Sequence, residues 1–336
     1  MPREYSKTTY YQRLCDERAV SPADLYAGPD VPVNTVGRVL KAEFGRKMVK
    51  LALDGGFTCP NRDGTKGTGG CAFCSAAGSG DNAGTIDEEI ALLSRKWPDA
   101  GYIAYFQGFT STYADADTLR RIYGGALSDP RIEGIAVATR PDCLPEDILD
   151  LLSEINGKRY LWVELGLQTS NAATAEKMGL CYSPDDFVRS AGELGRRGIR
   201  TAAHLIFGLP GETMDDMLAS VRFAAASGVW GVKYHMLNVV KGSRLASEMP
   251  DYMPFSSPEE YISLVCDALE MTPPETVIHR MSADSPAGML IAPKWAYRKR
   301  RIIDGIYAEL KRRGTWQGSG AEEADKADEA YDAAGK

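Results

Sequence analysis

Along most of the chain, short apolar runs rich in β-branched and aromatic residues alternate with longer stretches carrying an apolar residue every three or four positions. The short runs Met48–Leu53, Tyr102–Phe106, Ile132–Ala138, Tyr160–Leu165, Thr201–Phe207 and Trp230–Leu237 predict strands. Helices are predicted from Gly84-Thr85-Ile86-Asp87-Glu88-Glu89 through Trp97, and over Asp115–Leu127, Pro145–Ile155, Pro184–Arg197 and Thr213–Ser227. Ser183-Pro184-Asp185-Asp186 and Ser257-Pro258-Glu259-Glu260 each put a hydroxyl at the cap, Pro at the first helical position and an acid three residues after the cap. Six apolar strands separated by helices call for a parallel sheet with helices on its outer face. An open doubly wound sheet and a partial TIM-like barrel both satisfy this pattern. In either, the chemistry belongs at the C-terminal strand ends: the loop after strand one, Gln107-Gly108 after strand two, Thr139-Arg140 after strand three.

The 336 residues suffice for one such barrel. A net charge of −7 excludes a globally basic nucleic-acid coat, but the charge is uneven. Residues 38–50 hold five bases and one acid, and 294–313 hold eight bases and two acids, with Trp295, Tyr297 and Trp316 available to stack on bases; contact with RNA and a solvated amphipathic helix end are the competing readings. Gly318-Ser319-Gly320 reads as a joint to an acidic, Ala-rich tail that has too little apolar surface to fold. No run of 18 apolar residues exists and the first twenty residues lack the apolar stretch of a signal peptide, so a soluble, cytoplasmic chain is expected.

Seven cysteines are an odd number for a disulfide framework. Cys15, Cys143, Cys181 and Cys266 stand apart, and a second cluster is not expected from them; Cys143 is the best placed to join catalysis, with buried inert thiol as its default reading. Cys59, Cys71 and Cys74 crowd into one glycine-rich loop after the first strand. Thiolates hold iron–sulfur clusters, and soft sulfur also suits zinc. A closed zinc site takes four ligands, usually as two short pairs. Here three cysteines leave one metal position open, as in a catalytic site, while a zinc knuckle completed from elsewhere in the chain is the competing reading. Phe73 is placed to shield such a cluster from water.

Leu51-Ala52-Leu53-Asp54-Gly55-Gly56-Phe57-Thr58-Cys59-Pro60-Asn61-Arg62-Asp63-Gly64, continued by Gly69-Gly70-Cys71-Ala72-Phe73-Cys74, resembles the cluster loop of radical S-adenosylmethionine (radical SAM) proteins. Its long first gap is similar to the bacterial branch related to the catalytic subunit of Elongator, and departs from the commonest radical SAM spacing. Gln107-Gly108-Phe109-Thr110, Gly134–Asp142, Val163–Thr169 and His204–Gly211 extend the resemblance in order along the chain.

The resemblance implies an α/β fold, a partial (β/α)6 TIM-like barrel, which decides between the two sheets left open above. The implied organisation is an N-terminal extension over 1–40, the core barrel over 41–245, a helical extension over 246–317 completing the barrel side, and the tail 318–336. It further implies a [4Fe–4S] cluster on Cys59, Cys71 and Cys74, with S-adenosylmethionine (SAM) cleaved reductively to a 5′-deoxyadenosyl radical. Gln107, Gly108, Thr110, Arg140, Glu164, Gln168 and His204 are the expected cofactor-binding residues. For Glu164 an ion pair with Arg140 or another base at the barrel mouth competes with a role on the ribose hydroxyls; for Arg140 a structural pairing with Asp142 or Glu164 competes with a contact to the SAM carboxylate. On the sixth strand, either Lys233 and His235 or Tyr234 and Met236 face the barrel. The implied substrate is a tRNA wobble uridine and the implied electron donor is of flavodoxin or ferredoxin type. Fewer than a hundred residues follow the sixth strand, so an acetyl-transfer reaction is not expected. A small-molecule or peptide substrate, and a non-catalytic electron carrier, are the alternatives.

Overall fold

All six strands form, and a seventh joins them. The computed structural model describes residues 26–76, 78, 83–285 and 288–320. Its main sheet is wholly parallel and follows chain order: β1 (Met48–Leu53), β2 (Gly101–Phe106), β3 (Ile132–Thr139), β4 (Tyr160–Gln168), β5 (Arg200–Phe207), β6 (Gly231–Met236) and β8 (Val277–Arg280). The sheet curls into a half-barrel, so the partial barrel is the correct choice. A separate antiparallel ribbon pairs β7 (Val239–Val240) with β9 (Leu290–Ala292).

Helices follow the strands: α1 (Val36–Phe44) before β1, then α2 (Ile86–Leu93), α3 (Ala116–Leu127), α4 (Glu146–Asn156), α5 (Ala172–Lys177), α6 (Pro184–Arg196), α7 (Met214–Ala226), α8 (Arg244–Glu248), α9 (Pro258–Met271) and α10 (Lys299–Arg313). Reciprocal capping boxes start α2 (Thr85, Glu88), α6 (Ser183, Asp186) and α7 (Thr213, Asp216), each satisfying amides that the first turn leaves orphaned. Ser257 caps α9 through the Glu260 amide.

Strand side chains alternate between two environments. Leu51, Phe106, Val137, Val163, Leu205 and Tyr234 face outward and bury against the helices. Ile103, Tyr105, Ala136, Trp162 and Ala202 face inward, and α1 closes the N-terminal end of the barrel with Val39 and Leu40. The basic stretch 38–50 therefore lies mostly at the end opposite the C-terminal strand ends.

β8 is the element the sequence pattern does not announce. Val277 and Ile278 are its only apolar residues, too few for a period. It is a strand because tertiary partners receive it: the Val277 amide donates to Trp230 O and the Ile278 amide to Asn34 O. Fully buried Gln317 clamps the region, accepting from the Asn34 amide at 2.9 Å and donating to Pro273 O at 2.8 Å and Thr276 O at 2.7 Å. The stretch read as helical beyond residue 245 thus adds a strand to the barrel. The acidic segment 321–336 and Cys15 lie outside the described residues. Among the described residues no helix is long and apolar enough to cross a membrane.

Candidate functional site

Cys59, Cys71 and Cys74 are free thiols on the loop between β1 and α2, and all three line one cavity of about 500 Å3 at the C-terminal strand ends. The loop is shaped by its own polar residues. Asn61, buried, donates through Nδ2 to Gly179 O at 2.5 Å and to Cys71 Sγ at 3.4 Å. Gly67 is required beside it, because a Cβ there would meet Asn61 Oδ1 at 2.3 Å. Arg62 donates to Ser75 O at 2.5 Å and Ala76 O at 3.1 Å, with its guanidinium 5.3 Å from the Phe109 ring. The Cys74 amide closes a turn onto Cys71 O, and the Ala72 amide anchors to Met178 O.

Cations surround the sulfurs. Cys71 and Cys74 share a hydrogen bond, which with the Arg62 charge holds the Cys74 thiol below its usual range against burial; Cys71 is pushed well above by the same sharing and by burial. Arg140 brings Nη1 to 3.9 Å from Cys59 Sγ. Its Nε and Nη2 fork onto Asp142 at 2.9 Å each, and Asp142 also takes Lys66 at 2.6 Å. Among the described residues no three His, Cys, Asp or Glu side chains gather as tightly as a single metal ion needs. The thiols instead ring part of a cavity wall.

Most of the expected cofactor residues share this wall. Gln107, Thr110, Arg140, Glu164, Gln168 and His204 line the cavity, while Gly108 sits in the turn between Gln107 and Thr110. The Phe109 amide donates to Gly78 O and the Thr110 amide to Thr58 O, so those two donors serve the loop. Phe109 and Gln168 hold left-handed backbone (φ 56° and 68°), strain that well-packed functional sites commonly carry.

Glu164 is placed differently from the ribose role. It lies within β4, and its carboxylate is saturated by the protein: Oε1 takes Lys50 at 3.1 Å, and Oε2 takes Lys233 at 2.9 Å and Tyr105 OH at 2.6 Å. The ion-pair alternative is the arrangement found, with Lys50 and Lys233 as partners in place of Arg140. Burial alone would raise this carboxyl, yet the two lysines hold it well below its usual range. Burial pushes Lys233 down to about 8 against the attraction of Glu164, and the charges of Arg280 and Lys50 add to the fall. Arg140 likewise has the structural pairing with Asp142 while still facing the cavity.

On β6, Lys233 and His235 face the cavity; Tyr234 and Met236 belong to the outer core. Cys143 is buried behind Asp142, lines a second cavity of about 740 Å3, and is pushed up to about 12 by burial, the reading of an inert thiol. Tyr105, Tyr182 and Asn238 also line the thiol cavity and were not singled out from sequence. Tyr105 lies two residues before Gln107 and so shares its face, a signal that alternation supplies. Nothing local marks Tyr182, which reaches the cavity through the turn before α6.

A model of the Radical SAM superfamily matches residues 62–224, and one of the Radical_SAM C-terminal domain matches 229–312. The chain is 41% identical to the uncharacterized protein YtqA of Bacillus subtilis over 302 residues, covering 87% of this chain and 94% of that one. The chain belongs to the radical SAM superfamily. A further relative, the tRNA uridine(34) acetyltransferase of Methanocaldococcus jannaschii, is 22% identical over 192 residues, 56% of this chain and 34% of its own. The archaeal Methanocaldococcus infernus Elp3 with an N-terminal deletion shares the fold, with a TM-score of 0.61 and 16% identity over 80% of this chain and 64% of that structure.

Radical SAM enzymes use a [4Fe–4S] cluster and SAM, and the residues present fit both. Three free thiols face the cavity beside the cations of Arg62 and Arg140. Thr110 Oγ1, Gln168 Oε1 and His204 Nε2 are buried on the same wall without a protein partner, and buried polar atoms ordinarily have one. At Gly166 a Cβ would come within 2.5 Å of the Gln168 amide and 3.3 Å of Tyr182 OH, so the wall stays open there. Cys59, Cys71 and Cys74 would hold the cluster, and Thr110, Gln168 and His204 would meet SAM. When bound, the pair supplies a 5′-deoxyadenosyl radical that abstracts a hydrogen atom from carbon. The chain's own part is to orient substrate and exclude water. Phe73 and Phe109 line the cavity along with the thiols, the Tyr105–Glu164–Lys233 network closes the floor, and burial keeps His204 and His235 neutral.

Proposed function

We propose that this radical SAM enzyme modifies the side chain of a tRNA wobble uridine. The observation carrying this reading is the relative named for tRNA uridine 34, which aligns with this chain over 192 residues at 22% identity, across the segment that bears much of the cysteine-lined cavity. On the cavity floor, His235 Nδ1 is buried without a partner near Lys233, a pair of groups able to address the polar edge of a pyrimidine. Cys59, Cys71 and Cys74 carry the cluster in this reading, and Gln107, Gly108, Thr110, Arg140, Gln168 and His204 surround SAM. A flavodoxin- or ferredoxin-type protein supplies the electron in the reducing cytoplasm.

The test is anaerobic. The protein is reconstituted with iron and sulfide, then given dithionite, SAM and tRNA from cells lacking the gene. Formation of 5′-deoxyadenosine together with a mass change in one uridine nucleoside is expected, and Cys59→Ala should give neither. 5′-Deoxyadenosine with unaltered tRNA nucleosides would redirect the search to a small molecule or peptide.

A further inference from the structure

The C-terminal segment carries charge that neither the cavity nor the fold requires. Residues 294–301 read Lys-Trp-Ala-Tyr-Arg-Lys-Arg-Arg, five bases and no acid in a chain of net charge −7. Four of them, Arg298 to Arg301, occupy the cap and first turn of α10, which has no acidic residue in that turn. The helix dipole disfavours cations there. By contrast α2, α3, α4, α6, α7 and α9 all carry acids in the first turn. A sequence that breaks a local rule without a folding gain marks a functional surface.

Internal neutralisation is slight. Arg300 meets Asp304 and Arg301 meets Glu259, each at 3.7 Å between exposed side chains, where ion pairs contribute little. Lys294 and Arg298 are exposed. Lys299 bonds Asp284 at 2.6 Å, and Asp284 with Ser285 and Arg280 forms part of the cavity wall, so Lys299 brings this basic segment up to the cavity rim. Among them Tyr297 is 49% exposed, its hydroxyl accepting the Gly288 and Leu290 amides, which fixes the ring on the surface. Trp295 is half-buried instead, 6.4 Å from Tyr261.

From this juxtaposition we infer that the rim around Tyr297 binds the backbone of a single-stranded RNA loop, with Tyr297 stacking one base while a neighbouring base enters the cavity. Exposed cations around a rigid aromatic platform suit nucleic acid, since every base offers a π-face and every step a phosphate. An acidic redox protein is the other ligand a basic rim attracts. It fits less well, because the cations surround an exposed aromatic ring held in place on the surface, a platform that a base can stack on. The inference rests on the tRNA reading and adds how the substrate is held.

The test measures fluorescence anisotropy of labelled unfractionated tRNA against the full chain, between about 50 and 200 mM KCl. The variant Lys294→Glu/Arg298→Glu/Arg300→Glu should lose at least about tenfold in affinity, and its log–log salt slope should shrink by about 2, from about 0.7 per phosphate contact. Tyr297→Leu should weaken binding by about 5- to 150-fold with the slope unchanged. The triple variant should melt no lower than wild type, because cations leave a helix N-terminus; the single Arg300→Glu variant serves should the triple fail to fold. Wild-type affinity and slope in both charge variants would overturn the surface and leave the tRNA reading standing. No tRNA binding by the wild type would overturn both. Unchanged tRNA binding with lost reduction by flavodoxin would assign the rim to the electron donor and overturn the inference.

Discussion

Arg140 reaches to 3.9 Å from the Cys59 sulfur while Asp142 grips its other two nitrogens at 2.9 Å. The fork aims a permanent charge at one thiol, and Lys66, from the cysteine loop itself, closes onto the same carboxylate. The loop and the end of β3 are thereby tied together through Asp142.

Asp142→Asn should leave a buried guanidinium without its counter-charge, at a cost of about 3–5 kcal/mol. A lower melting temperature and fewer iron atoms retained per chain after reconstitution are expected. Wild-type melting and iron content would show that the fork neither stabilises the fold nor positions Cys59.

Glu164 is the shared partner of Lys50 and Lys233, so Glu164→Gln should destabilise by a similar amount, about 3–5 kcal/mol, read by urea unfolding. If the carboxylate were instead reserved for the ribose, the variant would unfold normally and lose only SAM affinity in calorimetry.

Gln168 holds left-handed backbone with its Oε1 unpartnered in the cavity. Gln168→Gly should release about 1 kcal/mol of backbone strain and so hold or raise the melting temperature. Formation of 5′-deoxyadenosine should fall, since the amide is gone. Gln168→Ala should keep the strain, so that the melting temperature does not rise, and should lose 5′-deoxyadenosine formation as the Gly variant does.

Glu212, partly buried and bonded by Thr169 Oγ1, is pushed up to about 7 by burial, with Asp216 adding to the effect. Folded chain therefore keeps this proton to about pH 7, whereas unfolded chain releases it near 4.5. Between those values the folded state binds more protons, so this group's contribution to stability falls as pH rises. Glu212→Gln should remove that slope: its melting temperature relative to wild type should climb from pH 5 to pH 8.

Much of the site was legible because it is local. The spacing of Cys59, Cys71 and Cys74, the glycines between them and the strand before them lie within one short segment, and strand alternation puts Lys233 and His235 on a common face. Capping boxes are equally local, since the residues of each box are three apart. Other features were not legible. β8 has too short an apolar run to show a period and exists because Trp230 and Asn34 receive its amides.

The order of the first six strands and the helices between them, the thiol-bearing loop and the family can all be read from the residues alone. What each charge is for depends on the folded barrel. Glu164 finds Lys50 across 114 residues and Lys233 across 69. Arg140 turns to Asp142, and the bases at 294–301 come to the cavity rim while those at 38–50 go largely to the far end. Periodicity reports which side chains leave water, but the partner of a buried charge is set by which strands the barrel makes neighbours.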